Sequence, residues 1–239
     1  MKSKILLVNF DFSDQEKIKK YFNIEVDIGY ISDCESWTNS KREREYSANF
    51  YAPFSIYEYK ACFINLTKDP ICRYLFKDKA KSLYEEKETI NFLKYWYKGK
   101  GILVIFFDNS NYFSDSLALT FGIPFVKLSQ AKVGDKTHIF KLDDSTPLRK
   151  LFKEIQNQIK MPPNKYLEIS QPPSDRNATI YSIYENLNDQ CLGCYYNARP
   201  FYDVIDDPRF ILLPIFKNNL EIIIELLKIF AKTYPKFLP

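Results

Sequence analysis

The chain has 239 residues, with 34 basic and 30 acidic side chains, one histidine and six glycines. Average usage of about 7% would give roughly 17 glycines, so the chain lacks the clustered glycines of phosphate-binding loops. A single histidine also excludes most histidine-based metal sites and catalytic triads. With 46% hydrophobic residues, the chain is globular rather than disordered.

The amino-terminal residues 1–4 lead directly into an apolar run, without the small-residue cleavage site of a signal peptide. No run of about 18 apolar residues follows, as a membrane-spanning helix would need. Five cysteines in a chain large enough to fold without disulfides predict reduced thiols. We therefore expect a cytoplasmic protein that is not associated with a membrane.

The first half of the chain predicts alternating strands and helices. The apolar runs 4–10, 24–31, 59–66 and 102–107 are typical of buried strands. Helices are predicted at 15–22 and, from apolar residues at three- and four-residue intervals, at 74–98. Residues 32–58 interrupt this alternation, and we expect them to form an irregular insertion.

The second half predicts shorter elements around several prolines. Strands are expected at 125–128, 138–142, 179–184, 191–196 and 210–215, and helices at 116–121, at 148–159 and after Asn218 and Asn219. We expect 179–184 and 191–196 to pair antiparallel within a β-rich subregion, 165–200. The sequence thus predicts a single α/β domain over 1–239. Its expected sheet is open, mostly parallel and Rossmann- or flavodoxin-like, with helices on both faces and a small β-rich insertion toward the C-terminal half.

Two segments carry a resemblance to a known family. Residues 92–107 combine the end of a helix, a turn with Gly99 and Gly101, and a hydrophobic strand, and residues 117–124 form a short helix that ends in Phe-Gly-Ile-Pro. This order resembles the class I glutamine-amidotransferase-like (ThuA-like) Rossmann-type superfamily. Its catalytic members carry a nucleophilic cysteine on a glycine-flanked turn, with a histidine and a carboxylate near the carboxyl end. The resemblance therefore implies an amidotransferase-like scaffold without catalytic residues, because Asp108 follows the strand and His138 lies mid-chain.

Polar side chains follow two of the predicted strands at the edge where open α/β sheets bind their ligands. The candidate ligand-binding residues are Asp11, Ser13, Asp108, Asn109 and Ser110. Two carboxylates that meet there could act as acid and base or bind a cation. The alternative, which we favour, is that both aspartates cap helices or turns. A binding pocket is then a better prediction than catalysis.

Aromatic residues outside the regular elements form a second signal, because interface cores are enriched in them. The candidate interface residues are Trp37, Phe50, Tyr51, Phe54, Tyr195, Tyr196, Phe201 and Tyr202. A core position is an equally good interpretation of each, since aromatics are also abundant in protein interiors.

Other motifs favour structural roles. Cys191 and Cys194 have the spacing of half a zinc site, but no further ligand pair accompanies them, so we interpret them as structural thiols. His138 is interpreted as an ordinary strand residue. The basic side chains of 73–100 alternate with acidic ones, so nucleic-acid binding is an alternative that we do not favour. The sequence predicts no metal site, cofactor or catalytic residue.

We interpret the chain as a non-catalytic interaction or assembly subunit of a bacterial multi-protein system, for which phage defence is one setting. Its expected partner is a second protein or another copy of the chain. Two alternatives stay open: a ligand-binding or hydrolytic enzyme that uses the strand-end carboxylates, and a nucleic-acid-binding accessory protein.

Overall fold

The computed structural model describes residues 4–38, 44–53, 58–65, 84–86, 102–107, 126–130, 138–144, 146, 148–155, 158–161, 165–169, 178–186, 190–198, 209–214 and 219–233. The strands are β1 (Lys4–Val8), β2 (Glu25–Thr38), β3 (Arg44–Ala52), β4 (Ala61–Asn65), β5 (Tyr84–Glu86), β6 (Ile102–Phe107), β7 (Val126–Gln130), β8 (His138–Leu142), β9 (Gln158–Met161), β10 (Lys165–Ile169), β11 (Ala178–Glu185), β12 (Cys191–Ala198) and β13 (Arg209–Pro214). The helices are α1 (Phe12–Phe22), α2 (Arg149–Ile155) and α3 (Asn219–Thr233).

The centre of the sheet is a parallel block of five strands in the order β2-β1-β4-β6-β13. All five residues of β4 are buried, as are four of the five in β1. Strands that are buried on both faces are nearly continuous apolar runs, which is what these segments show in the sequence. The block therefore accounts for the strands that were predicted most directly.

The rest of the sheet is antiparallel, and the predicted mostly parallel, Rossmann- or flavodoxin-like fold is wrong. Beyond β13 the order continues β12-β11-β8-β9, while β10 pairs with both β12 and β7. In the described part of the chain, eight strand pairings are antiparallel and four are parallel. Three helices accompany thirteen strands within the same residues, where the prediction had helices on both faces. The sheet is mixed because β12 pairs antiparallel with β13 at one edge of the parallel block and β3 pairs antiparallel with β2 at the other edge.

Several individual elements were predicted correctly, including the antiparallel pair 179–184 and 191–196, which are parts of β11 and β12. The helix predicted over 74–98 was not correct at 84–86, because these residues form β5 and pair with 50–52 of β3. Helical periodicity at that point is overridden by a long-range strand pairing.

The segment 32–58, expected to be irregular, contains the end of β2 and all of β3. The single-domain organisation stays a prediction.

Helix α1 is fixed at both ends by local polar contacts. Asp11 occupies the N-cap in an extended conformation, and its carbonyl oxygen accepts from the backbone N–H groups of Asp14 and Gln15 at 3.0 and 3.3 Å. Asn23 ends the helix in the left-handed conformation, with φ of 53°, and its N–H donates to the Lys19 carbonyl at 2.9 Å. These are the usual solutions for the unpaired groups at helix ends.

Helix α3 buries one apolar face against the sheet core. Ile222, Ile223, Leu226, Leu227 and Phe230 are almost fully buried, while Leu220 and Ile224 are half-buried beside them. The spacing of three and four residues places this set on one side of the helix. Among the described helices, none is long and apolar enough to cross a membrane.

Asp27 is a partly buried carboxyl group near the start of β2. Burial raises its pKa above the ordinary value of 3.8, although the Tyr59 hydroxyl, which donates to its Oδ2 at 3.1 Å, and the nearby Lys4 and Lys19 act in the opposite direction. Because the pKa is raised in the folded state, folding binds a proton at pH values where the unfolded chain has released it. The contribution of this proton to the free energy of unfolding is fully present below pH 3.8 and is lost as the pH rises through the folded-state pKa of Asp27.

Replacing Asp27 with asparagine should therefore stabilise the protein increasingly, relative to wild type, as the pH rises from 3 toward 7. Asparagine still offers an oxygen to the Tyr59 hydroxyl but cannot ionise. Urea unfolding of both proteins across this range measures the difference, with Glu221→Gln, at an exposed position on α3, as the matched control. A difference that is constant with pH, or that reverses in sign, would show that Asp27 does not have this role.

Candidate functional site

The carboxyl ends of β1 and β4 meet where the order of the parallel strands reverses. From β1 the chain first forms β2 on one side and later forms β4 on the other side of β1. Such a reversal leaves a crevice at the carboxyl edge of a parallel sheet, and ligands of open α/β sheets bind there. Polar residues stand at the ends of both strands: Asn9 directly follows β1, and Asn65 is the last residue of β4.

Asn9 connects the end of β1 to the end of β4 and to β2 by hydrogen bonds. Its backbone has φ of 60°, in the left-handed region that asparagine tolerates better than most residues. Its side-chain Nδ2 donates to the Asn65 carbonyl oxygen at 3.2 Å, and its backbone N–H donates to the Gly29 carbonyl oxygen of β2 at 3.0 Å. Asn9 is 7% exposed and Asn65 is 5% exposed. The edge is therefore a fixed, polar and largely buried arrangement at the predicted binding position.

The predicted ligand residues Asp11 and Ser13 lie next to this edge, at the start of α1, and both are exposed. Asp14 is in the same turn, and its Oδ2 accepts from the Asp11 backbone N–H at 3.4 Å. Carboxylates at a helix N-terminus interact favourably with the positive end of the helix dipole. They also repel a second anion, so this end of α1 is a poor site for a phosphate group.

The other predicted ligand residues, Asp108, Asn109 and Ser110, lie outside the described residues. Strand β6, which precedes them, ends beside β4, and Asn65 is in register with Phe106. A shared site for Asp11 and Asp108 therefore stays a prediction.

Strand β2 continues well past this edge. Residues 25–29 pair with β1, and Gly29 is in register with Val8, the last residue of β1. Residues 30–38 then pair, within the described part of the chain, with β3 alone, over 44–51, with a register shift between Ile31 and Cys34. Nine further residues at about 3.3 Å each extend β2 by roughly 30 Å. We call residues 30–38 and 44–52 the β2–β3 arm.

The β2–β3 arm carries three of the predicted interface residues. Trp37 is in register with Glu45, Phe50 with Ile31, and Tyr51 with Tyr30. Among the described residues, only the three-residue β5 joins the arm, opposite 50–52. The structure thus places residues that are separated in the sequence on one two-stranded extension.

The remaining interface predictions have different outcomes. Tyr195 is 3% exposed and belongs to the hydrophobic core, with its ring 6.2 Å from that of Tyr181. Tyr196 lies on β12, in register with Ile180 and Phe210. Phe54, Phe201 and Tyr202 fall outside the described residues.

Cys191 and Cys194 are both buried on β12 as reduced thiols, and the Cys191 thiol donates to Glu185 Oε1 at 3.9 Å. Burial, and to a lesser extent the neighbouring Cys191, raises the pKa of the Cys194 thiol far above its ordinary value, and burial likewise raises the pKa of the Cys62 thiol. Protonated thiols are weak nucleophiles and weak metal ligands. No group of three or more His, Cys, Asp and Glu residues within the described ranges could hold a metal ion. His138 begins β8, in register with Met161 of β9.

The sequence reasoning considered carboxylates at the strand ends and missed the two asparagines. The sequence did contain a signal for both asparagines. Asn9 directly follows a buried apolar run, and Asn65 is the polar residue that ends another. The comparisons add no further assignment, because no known protein family, curated protein or solved structure matches this chain. The resemblance to the amidotransferase-like superfamily stays a prediction.

Proposed function

We propose that the chain is an interaction or assembly subunit that binds a protein partner through the β2–β3 arm. The observation that supports this proposal is the length of the arm: β2 runs nine residues beyond the last residue with which β1 pairs. The proposal also includes a cytoplasmic location and membership of a bacterial multi-protein system, with phage defence as one setting.

A two-stranded β-ribbon that lacks further packing has little stability in water. Isolated hairpins are marginally stable, and a third strand or a packed helix is normally needed. In the described part of the chain, β5 supplies only three residues of a third strand, at the base of the arm. The arm is also rich in the residue types of interface cores, with Trp37, Tyr46, Phe50 and Tyr51. A protein partner that covers these residues would stabilise the arm.

The charge of the arm favours protein over nucleic acid as the partner. Its residues include three acidic side chains, Asp33, Glu35 and Glu45, against one basic side chain, Arg44. Nucleic-acid affinity depends on cationic side chains that neutralise phosphates. With the connecting residues 39–43, which add Lys41, Arg42 and Glu43, the sequence has four acidic against three basic side chains, so it offers no net positive charge for phosphates.

Substitution of the arm aromatics tests the proposal. We expect the combined variant Trp37→Thr, Phe50→Thr and Tyr51→Thr to lose a stoichiometric complex that the wild-type chain forms in its host. Threonine keeps the strand preference of these positions while it removes the aromatic surface. Native mass spectrometry of the affinity-purified full chain measures the complex, whether it holds a second protein or a second copy.

The matched control is Phe12→Thr, which replaces an aromatic residue that is 53% exposed on α1, outside the arm. This variant should keep the complex. A wild-type chain that is strictly monomeric, or a complex that survives all three arm substitutions, would contradict the proposal. Circular dichroism melting of each variant separates loss of binding from loss of the fold.

A second candidate function is the binding of a small polar molecule at the carboxyl edge. The observation that favours it is the buried Asn9–Asn65 contact at the point where the parallel strand order reverses. Amide groups both donate and accept hydrogen bonds, and Asp11 and Asp14 repel anions, so a neutral ligand suits this edge best. Crystals soaked with a library of neutral fragments should show density beside Asn9 and Asn65. Density only at other positions would remove this candidate.

A further inference from the structure

We draw no further inference here: the strongest candidate, the side-chain cluster of Asp143, Ser182, Glu185 and Cys191 where β8, β11 and β12 meet, rests on hydrogen bonds within the cluster, and no second observation in the described part of the chain points to a ligand there.

Discussion

Replacing Phe106 with alanine is expected to lower the free energy of unfolding by about 3–5 kcal/mol, the usual cost of deleting a buried aromatic ring. Phe106 lies on β6 and is fully buried. Its ring packs edge-on against Phe10, with the ring centroids 6.2 Å apart and the planes at 80°. The substitution removes this contact and leaves a cavity beneath the carboxyl edge of the parallel block. Urea unfolding followed by circular dichroism measures the loss.

Phe12→Ala is the matched control for this experiment. Phe12 is the same residue type, two positions from Phe10, but it is 53% exposed at the start of α1. Its substitution should cost less than about 1 kcal/mol, because surface changes seldom have large effects. Equal losses for the two variants would show that Phe106 is not in the core.

Gly193→Ala is expected to destabilise the chain by about 2–4 kcal/mol, from backbone strain and overpacking together. Gly193 has φ of 85°, in the region that favours glycine. A Cβ at this position would lie 2.8 Å from the Leu212 carbonyl oxygen of β13 and 3.1 Å from Cδ of Pro214. The carbonyl oxygen belongs to a buried strand, so it cannot move aside as a flexible side chain would. Thermal and urea unfolding give the change.

The asparagine variant separates the two causes at this position. Asparagine tolerates positive φ better than alanine does, but it has the same Cβ. We therefore expect Gly193→Asn to be as harmful as Gly193→Ala, because the close approach of β12 to β13 dominates. If asparagine restores most of the stability, strain alone is the cause, and if alanine is tolerated, this close approach is not present in the protein.

The parallel block was the part of the fold that the sequence predicted well. Runs such as 5–8 and 102–107 are apolar at every position, and only strands that are buried on both faces need that pattern. The turn residues around α1 were equally informative, because Asp11 and Asn23 have side chains suited to the two ends of a helix.

Local sequence patterns do not predict the direction of a strand or the strand with which it pairs. An apolar run such as 210–214 looks the same whether its neighbour is parallel, as β6 is, or antiparallel, as β12 is. The three residues of β5 likewise pair with β3 more than 30 positions away, which no local periodicity can show. The same sequence pattern is therefore compatible with a mixed sheet and with a mostly parallel sheet.

The candidate ligand site stays a prediction. Asp11 follows β1 and caps α1, which is the interpretation that the sequence favoured for it, while the buried contact at this edge is made by Asn9. The aromatic signal indicated both a core residue, Tyr195, and residues of the arm, since residue type alone does not distinguish an interior from an interface. Burial assigns Tyr195 to the core, while the interface role of the arm residues stays a prediction.

Hydrogen–deuterium exchange of the full chain, alone and within the complex purified from its host, is the most direct test of the proposed docking surface. The backbone amides of the arm, residues 30–38 and 44–52, should become strongly protected on binding, while those of β1 and β4 should not change. Protection confined to the carboxyl edge, around Asn9 and Asn65, with an unchanged arm would contradict the proposal.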